Sequence, residues 1–143
     1  SDLFIEEFRS EFKKMNPEEI AFPRGVNNLG KFSSTATIYG KGTPIHVRGS
    51  LLYNYYIRKH KLTNKYPLIQ EGEKIKFIFL RTPNKINENI IAFIQEFPKE
   101  LGLDKSIDHD LQFEKSFLEP LKTILDTIGW KTEKINTLEF LFA

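Results

Sequence analysis

The 143-residue chain contains no cysteine, one methionine and one tryptophan. Without cysteine there is no disulfide framework and no thiolate metal site, which is typical of proteins from reducing compartments. No apolar run approaches the ~20 residues that a membrane-spanning helix requires, and the first residues lack the pattern of a signal peptide. The chain begins with Ser1 instead of Met, so we expect a piece of a longer protein. These absences favour a globular protein that is held together by an apolar core and has no membrane partner.

Acidic residues are missing from a long central stretch. Between Glu19 and Glu71 there is no Asp or Glu, and residues 23–85 hold 12 Lys and Arg against two acids. The flanking residues hold nine Lys and Arg against 17 acids, so the formal net charge of +2 hides a strong asymmetry. A basic centre between acidic flanks favours binding of a polyanion, most often a nucleic acid. The alternative is a solvated face whose charges pair with the acids of the flanks.

The motifs of common catalytic sites are also absent. The three histidines have no zinc-binding helical spacing, and the chain has no nucleophile elbow, Walker lysine or dinucleotide fingerprint. Residues 40–43 superficially resemble a phosphate loop, but no buried strand precedes them. His109 stands between Asp108 and Asp110, yet neighbours on a helix point about 100° apart and rarely converge on one ion. By itself, this sequence predicts a non-catalytic chain.

Apolar periodicity predicts three helical regions. Residues 2–15 place their apolar side chains on one face. A second helix is predicted from Pro44 to His60, with Thr43 as N-cap. Residues 106–129 are expected to form a helix pair or one helix bent at its internal proline.

Two segments carry a strand pattern. Residues 73–81 alternate apolar and charged side chains, and residues 90–94 form a short apolar run that we expect to pair antiparallel with them. Residues 18–26 are predicted to be a short extended piece. We therefore expect an α+β fold, a mostly helical single domain over residues 1–143 with a small antiparallel β element.

Cations of the centre are interleaved with small and amide side chains. Small residues let main-chain N–H groups approach phosphates, while Lys and Arg neutralise the charge, so we expect contact with a nucleic-acid backbone and no reading of base identity. Simple turn geometry is the alternative explanation for each glycine. The helix after this loop is expected to be anchored in the core by Leu52, Tyr55 and Tyr56. The candidate backbone-binding residues are Arg24, Asn27, Lys31, Lys41, His46 and Arg48, with His46 as a supporting hydrogen-bonding group.

The chain resembles the C-terminal end of T-even-type bacteriophage replicative DNA polymerases of family B. The resemblance lies, in order, in KGTPIHVRGSLLYNYYI, EGEKIKFIFLRTPN, IDHDLQFEKSFLEPLKTILDTIGW and the terminal LEFLFA, and runs from about Phe22 to Ala143. It implies the thumb domain, which holds primer–template duplex behind the active site through its sugar–phosphate backbone. The family's palm aspartates, exonuclease carboxylates and fingers have no counterpart here. We therefore expect no cofactor in this segment, and magnesium in the missing palm.

The same resemblance assigns a role to the end of the chain. The family's C-terminal tail is a short hydrophobic peptide that docks on the sliding clamp, and residues 137–143 match it through Leu138, Phe140, Leu141 and Phe142. The alternative is a tail folded onto its own core. The implied partners are double-stranded primer–template DNA, the sliding clamp and the remaining polymerase domains, in the cytoplasm of a phage-infected bacterial host.

Two other functions remain open on the residues alone. One is a small metal-dependent nuclease that uses acids such as Glu71, Glu73 or Asp108. The other is a protein-interaction module whose basic face is incidental.

Overall fold

The computed structural model of the chain describes residues 2–33 and 38–129. The described residues divide into two compact units, one of residues 16–108 and one that combines residues 2–15 with residues 109–129. The described residues form several helices and a small three-stranded antiparallel sheet, which confirms the predicted α+β fold. The expectation of a single domain over the whole chain stays a prediction.

The sheet belongs to the unit of residues 16–108. Its strands are β1 (Phe22–Gly25), β2 (Lys74–Phe79) and β3 (Ile90–Phe93), in the order β1-β2-β3 with both pairs antiparallel. Phe22 lies opposite Phe77 across the first pair. The predicted antiparallel pairing of the second and third strands is confirmed.

More residues of the sheet are buried than the alternation in the sequence indicates. Ile75, Phe77 and Phe79 are buried as expected, but Ile78 on the opposite face of β2 is buried too, and so is every residue of β3. A strand that is buried on both faces loses the polar–apolar alternation. Most of β2 and all of β3 are therefore shielded from solvent.

Helix α3 (Ile45–Lys59) packs against β3 and β2. The helix was predicted to begin at Pro44, with Thr43 as N-cap. It begins at Ile45, because Pro44 has the extended angles φ −60° and ψ 145° and itself takes the N-cap position. The expected core role of Tyr55 is wrong, since that side chain is 55% exposed. Tyr53, two residues earlier and about 160° around the helix, is the fully buried tyrosine.

Residues 18–26 are not extended throughout as predicted. A helical turn, α2 (Pro17–Ile20), precedes β1. Pro17 suits the first helical position, and the Asn16 backbone N–H donates to the Glu19 carboxylate at 3.2 Å. The turn forms because these local contacts satisfy its first amides.

The other unit contains helix α1 (Asp2–Lys14) and the segment that begins at His109. The segment comprises α4 (His109–Phe113), a wide π-helical turn (Glu114–Leu118) and α5 (Glu119–Thr127). The predicted irregularity is present, but it lies in the π turn before Pro120 and not at the proline, which fits the first turn of α5.

Aromatic packing joins α1 to this segment. The Phe8 ring lies 5.6 Å from Phe113 and 5.0 Å from Phe117, and Phe12 meets Phe113 edge-on at 5.3 Å. Such pairs contribute about 0.5–1.5 kcal/mol each beyond the burial of their area. The four phenylalanines thus form the apolar contact of α1 with α4 and the π turn.

Candidate nucleic-acid interface

All six candidate backbone-binding residues lie in the unit of residues 16–108. Arg24 is exposed on β1, and Asn27 is exposed in the loop that follows. Lys31 is exposed in a short 3-10 turn, and Lys41 is exposed in the turn before α3. His46 and Arg48 occupy the first turn of α3 and are less accessible.

His46 is buried beside β1. Burial lowers the pKa of its imidazole, nearby Arg24 lowers that pKa further, and a hydrogen bond with the backbone of Gly25 opposes both. The ring centroid lies 6.3 Å from that of Phe77. A lowered pKa keeps the ring neutral at pH 7, in the form that can both donate and accept a hydrogen bond.

Arg48 is held by groups of the protein itself. Its Nη1 atom donates to Asn89 Oδ1 at 2.8 Å and lies 3.6 Å from Glu88 Oε2, and its side chain is only 18% exposed. The Tyr39 hydroxyl donates to the same Glu88 carboxylate, which raises the pKa of Tyr39 to about 12. Arg48 is therefore a cation that is already paired within the protein.

Glu71 organises the loop that carries Asn27 and Lys31. Its carboxylate accepts the backbone N–H groups of Asn28 at 2.7 Å and Leu29 at 2.9 Å. Asn28 has a positive φ of 68°, which asparagine tolerates better than most residues. No sequence pattern indicates this role, because more than 40 residues separate the carboxylate from the amides it accepts.

The acids named for a nuclease site have other partners. Glu71 accepts the two loop amides and Glu73 accepts the Gln70 backbone N–H at 3.1 Å, and Asp108 also interacts with a group of the chain. Over residues 2–33 and 38–129, no group of three His, Asp or Glu side chains is placed to hold a metal ion.

A second cationic group, at the C-terminal end of α3, was missed. Arg58, Lys59 and His60 are exposed there, next to the exposed ring of Tyr55. The sequence signal was YYIRKHK at residues 55–61, in which two tyrosines are followed closely by a run of basic side chains.

Two DNA polymerases are similar to this chain. The chain is 29% identical over 144 residues to the DNA-directed DNA polymerase of Enterobacteria phage T4, which covers 98% of this chain and 16% of that protein. It is 30% identical over 136 residues to the DNA-directed DNA polymerase of Escherichia phage RB69, which covers 92% of this chain and 14% of that protein. The chain is similar to one segment of phage DNA polymerases. The expected resemblance is confirmed at this level, and no protein-family model matches the chain.

The remaining sequence predictions concern the membrane and the tail. None of the helices within the described ranges is long and apolar enough to cross a bilayer. The candidate clamp-binding residues Leu138, Phe140, Leu141 and Phe142 lie outside the described residues.

Proposed function

We propose that this chain is the thumb portion of a family B phage DNA polymerase and that it holds primer–template duplex by the sugar–phosphate backbone. The observation that carries the proposal is the similarity to phage DNA polymerases over 98% and 92% of the chain. The exposed cations on β1 and on the two loops before α3 support it, since contacts of this kind bind DNA without reading its sequence.

The charge around these cations favours a phosphate ligand. The acid-free stretch from residue 20 to 70 includes Arg24, Lys31 and Lys41. The nearby carboxylates of Glu71 and Glu88 accept hydrogen bonds from protein groups, so their charge is partly compensated. A phosphate approaching the three exposed cations meets little repulsion, and its counterions are released on binding.

The buried and polar members of the candidate set have supporting roles in this proposal. Neutral His46 positions Arg24 and the end of β1 beside the start of α3. Asn27 offers a side-chain amide to a phosphate oxygen. Arg48 adds to the contact when its guanidinium turns from Glu88 to the DNA.

The rest of the proposed polymerase would lie outside this chain. Its remaining domains would supply the catalytic carboxylates and magnesium, in the cytoplasm of the infected host. The tail of residues 137–143 would dock on the sliding clamp through its apolar side chains, a mode in which a short segment places anchors into a groove.

Duplex binding tests the backbone contact. The triple change Arg24→Ala, Lys31→Ala and Lys41→Ala is expected to weaken binding of all duplex sequences alike and to lower the slope of log affinity against log salt by about three. Lys99→Ala with Lys105→Ala is the matched control, because both lysines are exposed and lie in the acidic flank. Duplex affinity that ignores salt would contradict the proposal, and no duplex affinity at moderate salt would favour a protein-interaction module.

Deletion of residues 138–143 tests the tail. The shortened chain is expected to lose binding to the sliding clamp of the same phage and to keep its duplex affinity, because the tail lies far from the candidate cations in sequence. Surface plasmon resonance on immobilised clamp reports the first and fluorescence anisotropy the second. Clamp binding that survives the deletion would reject the tail as the docking segment.

A further inference from the structure

The C-terminal half of α3 exposes an aromatic ring beside cations. Tyr55 is 55% exposed and meets Tyr56 edge-on, with ring centroids 4.9 Å apart and planes at 87°. Lys59 Nζ lies 5.9 Å and 5.7 Å from the two ring centroids. The edge-on contact and the ammonium hold the Tyr55 ring in place while much of its surface stays open to solvent.

This ring stands on the wall of a cleft. The cleft has a volume of about 1140 Å³ and is lined by α3 and by the chain segments around Leu29 and Ile69. Apolar and aromatic side chains make up much of the lining, and Arg58 and Lys59 add positive charge. The volume and the apolar lining suit a flat ring better than a compact ion.

Cations outnumber acids among the described residues that line the cleft. Glu71 is the single carboxylate among the described lining residues, and it already accepts the amides of Asn28 and Leu29. A ligand that carries both flat rings and negative charges is therefore complementary to the cleft.

We propose that this cleft binds an unpaired stretch of nucleic acid, with Tyr55 stacked on a base and with Arg58 and Lys59 on the neighbouring phosphates. Unpaired bases expose the flat faces that stack on aromatic side chains, whereas duplex bases are already stacked on each other. Such a contact is tolerant of sequence, because every base has a π face.

The stacking residues of the site lie at the far end of α3 from His46, although the loop that carries Lys31 also lines the cleft. His46 lies in the first turn of α3 and Lys59 at its last residue, so the two regions are about 20 Å apart along the helix axis. The chain would then contact paired DNA near one end of α3 and an unpaired strand near the other.

Variants of Tyr55 in the full chain test the stacking contact. Fluorescence anisotropy is measured with labelled oligothymidine of about 12 nucleotides, a length that spans one single-strand site. Tyr55→Leu keeps an apolar side chain without a ring and is expected to lower affinity by about five- to 150-fold. Tyr55→Phe keeps the ring and is expected to bind within about twofold of the unchanged chain.

An abasic oligonucleotide of the same length separates stacking from charge. The Tyr55→Leu effect is expected to vanish on the abasic strand, whereas Arg58→Ala with Lys59→Ala is expected to weaken both strands and to flatten their salt dependence. If Tyr55→Leu binds oligothymidine like the unchanged chain, or loses the abasic strand equally, the stacking site is overturned and the ring belongs only to a surface cation–π pair.

Duplex binding measured with the same variants separates this site from the proposed function. Tyr55→Leu is expected to leave duplex affinity unchanged, and the triple change at Arg24, Lys31 and Lys41 is expected to leave the difference between Tyr55→Leu and Tyr55→Phe intact. Loss of duplex and single-strand binding together in Tyr55→Leu would overturn the separate site. Because Tyr55 is exposed, its variants are expected to melt at the temperature of the unchanged chain, which calorimetry checks.

Discussion

His46 is a titratable residue whose charge the fold suppresses. Burial and the Arg24 guanidinium hold its pKa below the ordinary 6.5. The unfolded chain therefore binds a proton more readily than the folded chain between that lowered pKa and 6.5. In this window the free energy of unfolding falls as the pH falls.

His46→Gln removes this titration. Between about pH 7.5 and about pH 5.5, the unchanged chain is expected to lose more stability than the variant, because only the unchanged chain must expel a proton from His46 to fold. Urea unfolding at the two pH values measures the difference. His60→Gln, the same change at an exposed histidine, is the control for the substitution itself. Identical pH profiles for the unchanged chain and His46→Gln would contradict the prediction.

Gly49 lets α3 approach the sheet closely. A Cβ atom built there would lie 3.2 Å from the backbone nitrogen of Ala92 and 3.2 Å from Cγ1 of Ile90. Glycine in the middle of a helix costs about 1 kcal/mol relative to alanine. Gly49 therefore lowers the helix propensity of α3 but allows α3 to pack closely against β3.

Gly49→Leu is expected to destabilise the chain by about 1–3 kcal/mol or more, because the added side chain must displace strand backbone. Gly42→Leu is the matched control, since nothing lies within 4 Å of a Cβ at that position, and it is expected to stay within about 0.5 kcal/mol. Chemical denaturation measures both. Equal stability of the two variants would show that α3 can move away from β3 without loss.

At the scale of elements, the loop between β1 and α3 depends on a tie to the start of β2. Glu71 supplies it through the amides of Asn28 and Leu29, and the Gly72 backbone N–H donates to the Val26 carbonyl at 2.7 Å. Because Asn27 and Lys31 flank these amides, the tie sets where two candidate phosphate contacts stand.

Glu71→Gln is expected to loosen this loop. Hydrogen bonds to a charged acceptor contribute about 1.5–3 kcal/mol, and exposure reduces that contribution, so a loss of about 1 kcal/mol is expected. Faster hydrogen exchange at Asn28 and Leu29 reports the change locally. Glu96→Gln, an exposed acid outside the loop, should leave both amides protected, and equal exchange in the two variants would remove Glu71 from this role.

Elements with a local apolar rhythm could be predicted from the sequence. The alternation in residues 73–81 gave β2, and the spacing of apolar side chains gave α1 and α3. These predictions succeeded because each pattern depends only on the residues of one continuous segment. The turn α2 was missed, since the capping contact of Asn16 with Glu19 outweighed the extended character of the residues that follow.

The candidate site was less predictable, because its geometry depends on distant partners. In the sequence, Arg48 and Lys41 are both cations of the basic centre. In the structure, Asn89 and Glu88 bind Arg48, whereas Lys41 is exposed. Tyr55 was placed in the core because helical spacing puts it on one broad face with Leu52 and Tyr56. Which face of α3 is buried depends on where the sheet packs, and the sequence of the helix alone does not show this.

At the scale of the whole chain, residues 16–108 hold the sheet, α3 and all six candidate phosphate contacts. Residues near both ends of this unit form hydrogen bonds with other residues of the same unit. The Phe97 backbone N–H donates to Glu18 Oε2 at 2.9 Å, and the Asp108 N–H donates to the Phe79 carbonyl at 3.0 Å.

A fragment of residues 16–108 is expected to fold on its own and to keep most of the duplex affinity. Circular dichroism during heating should show one cooperative transition, because the unit contains its own core. A fragment of residues 22–108 is the control; it lacks Glu18 and α2 and is expected to melt at a lower temperature. A fragment 16–108 without a cooperative transition would show that the unit needs the rest of the chain.

The pairing of Arg48 with Glu88 has a consequence for ligand binding. In the free chain, a carboxylate occupies one side of the guanidinium that a phosphate would use, so Glu88 acts as an internal competitor. Glu88→Gln is expected to raise duplex affinity and to steepen its salt dependence by as much as one phosphate contact, and Glu96→Gln should change neither. Unchanged affinity in Glu88→Gln would mean that Arg48 takes no part. If the affinity rises, a DNA phosphate replaces the Glu88 carboxylate at Arg48. The free energy gained at Arg48 is then the difference between its interaction with the phosphate and its interaction with Glu88.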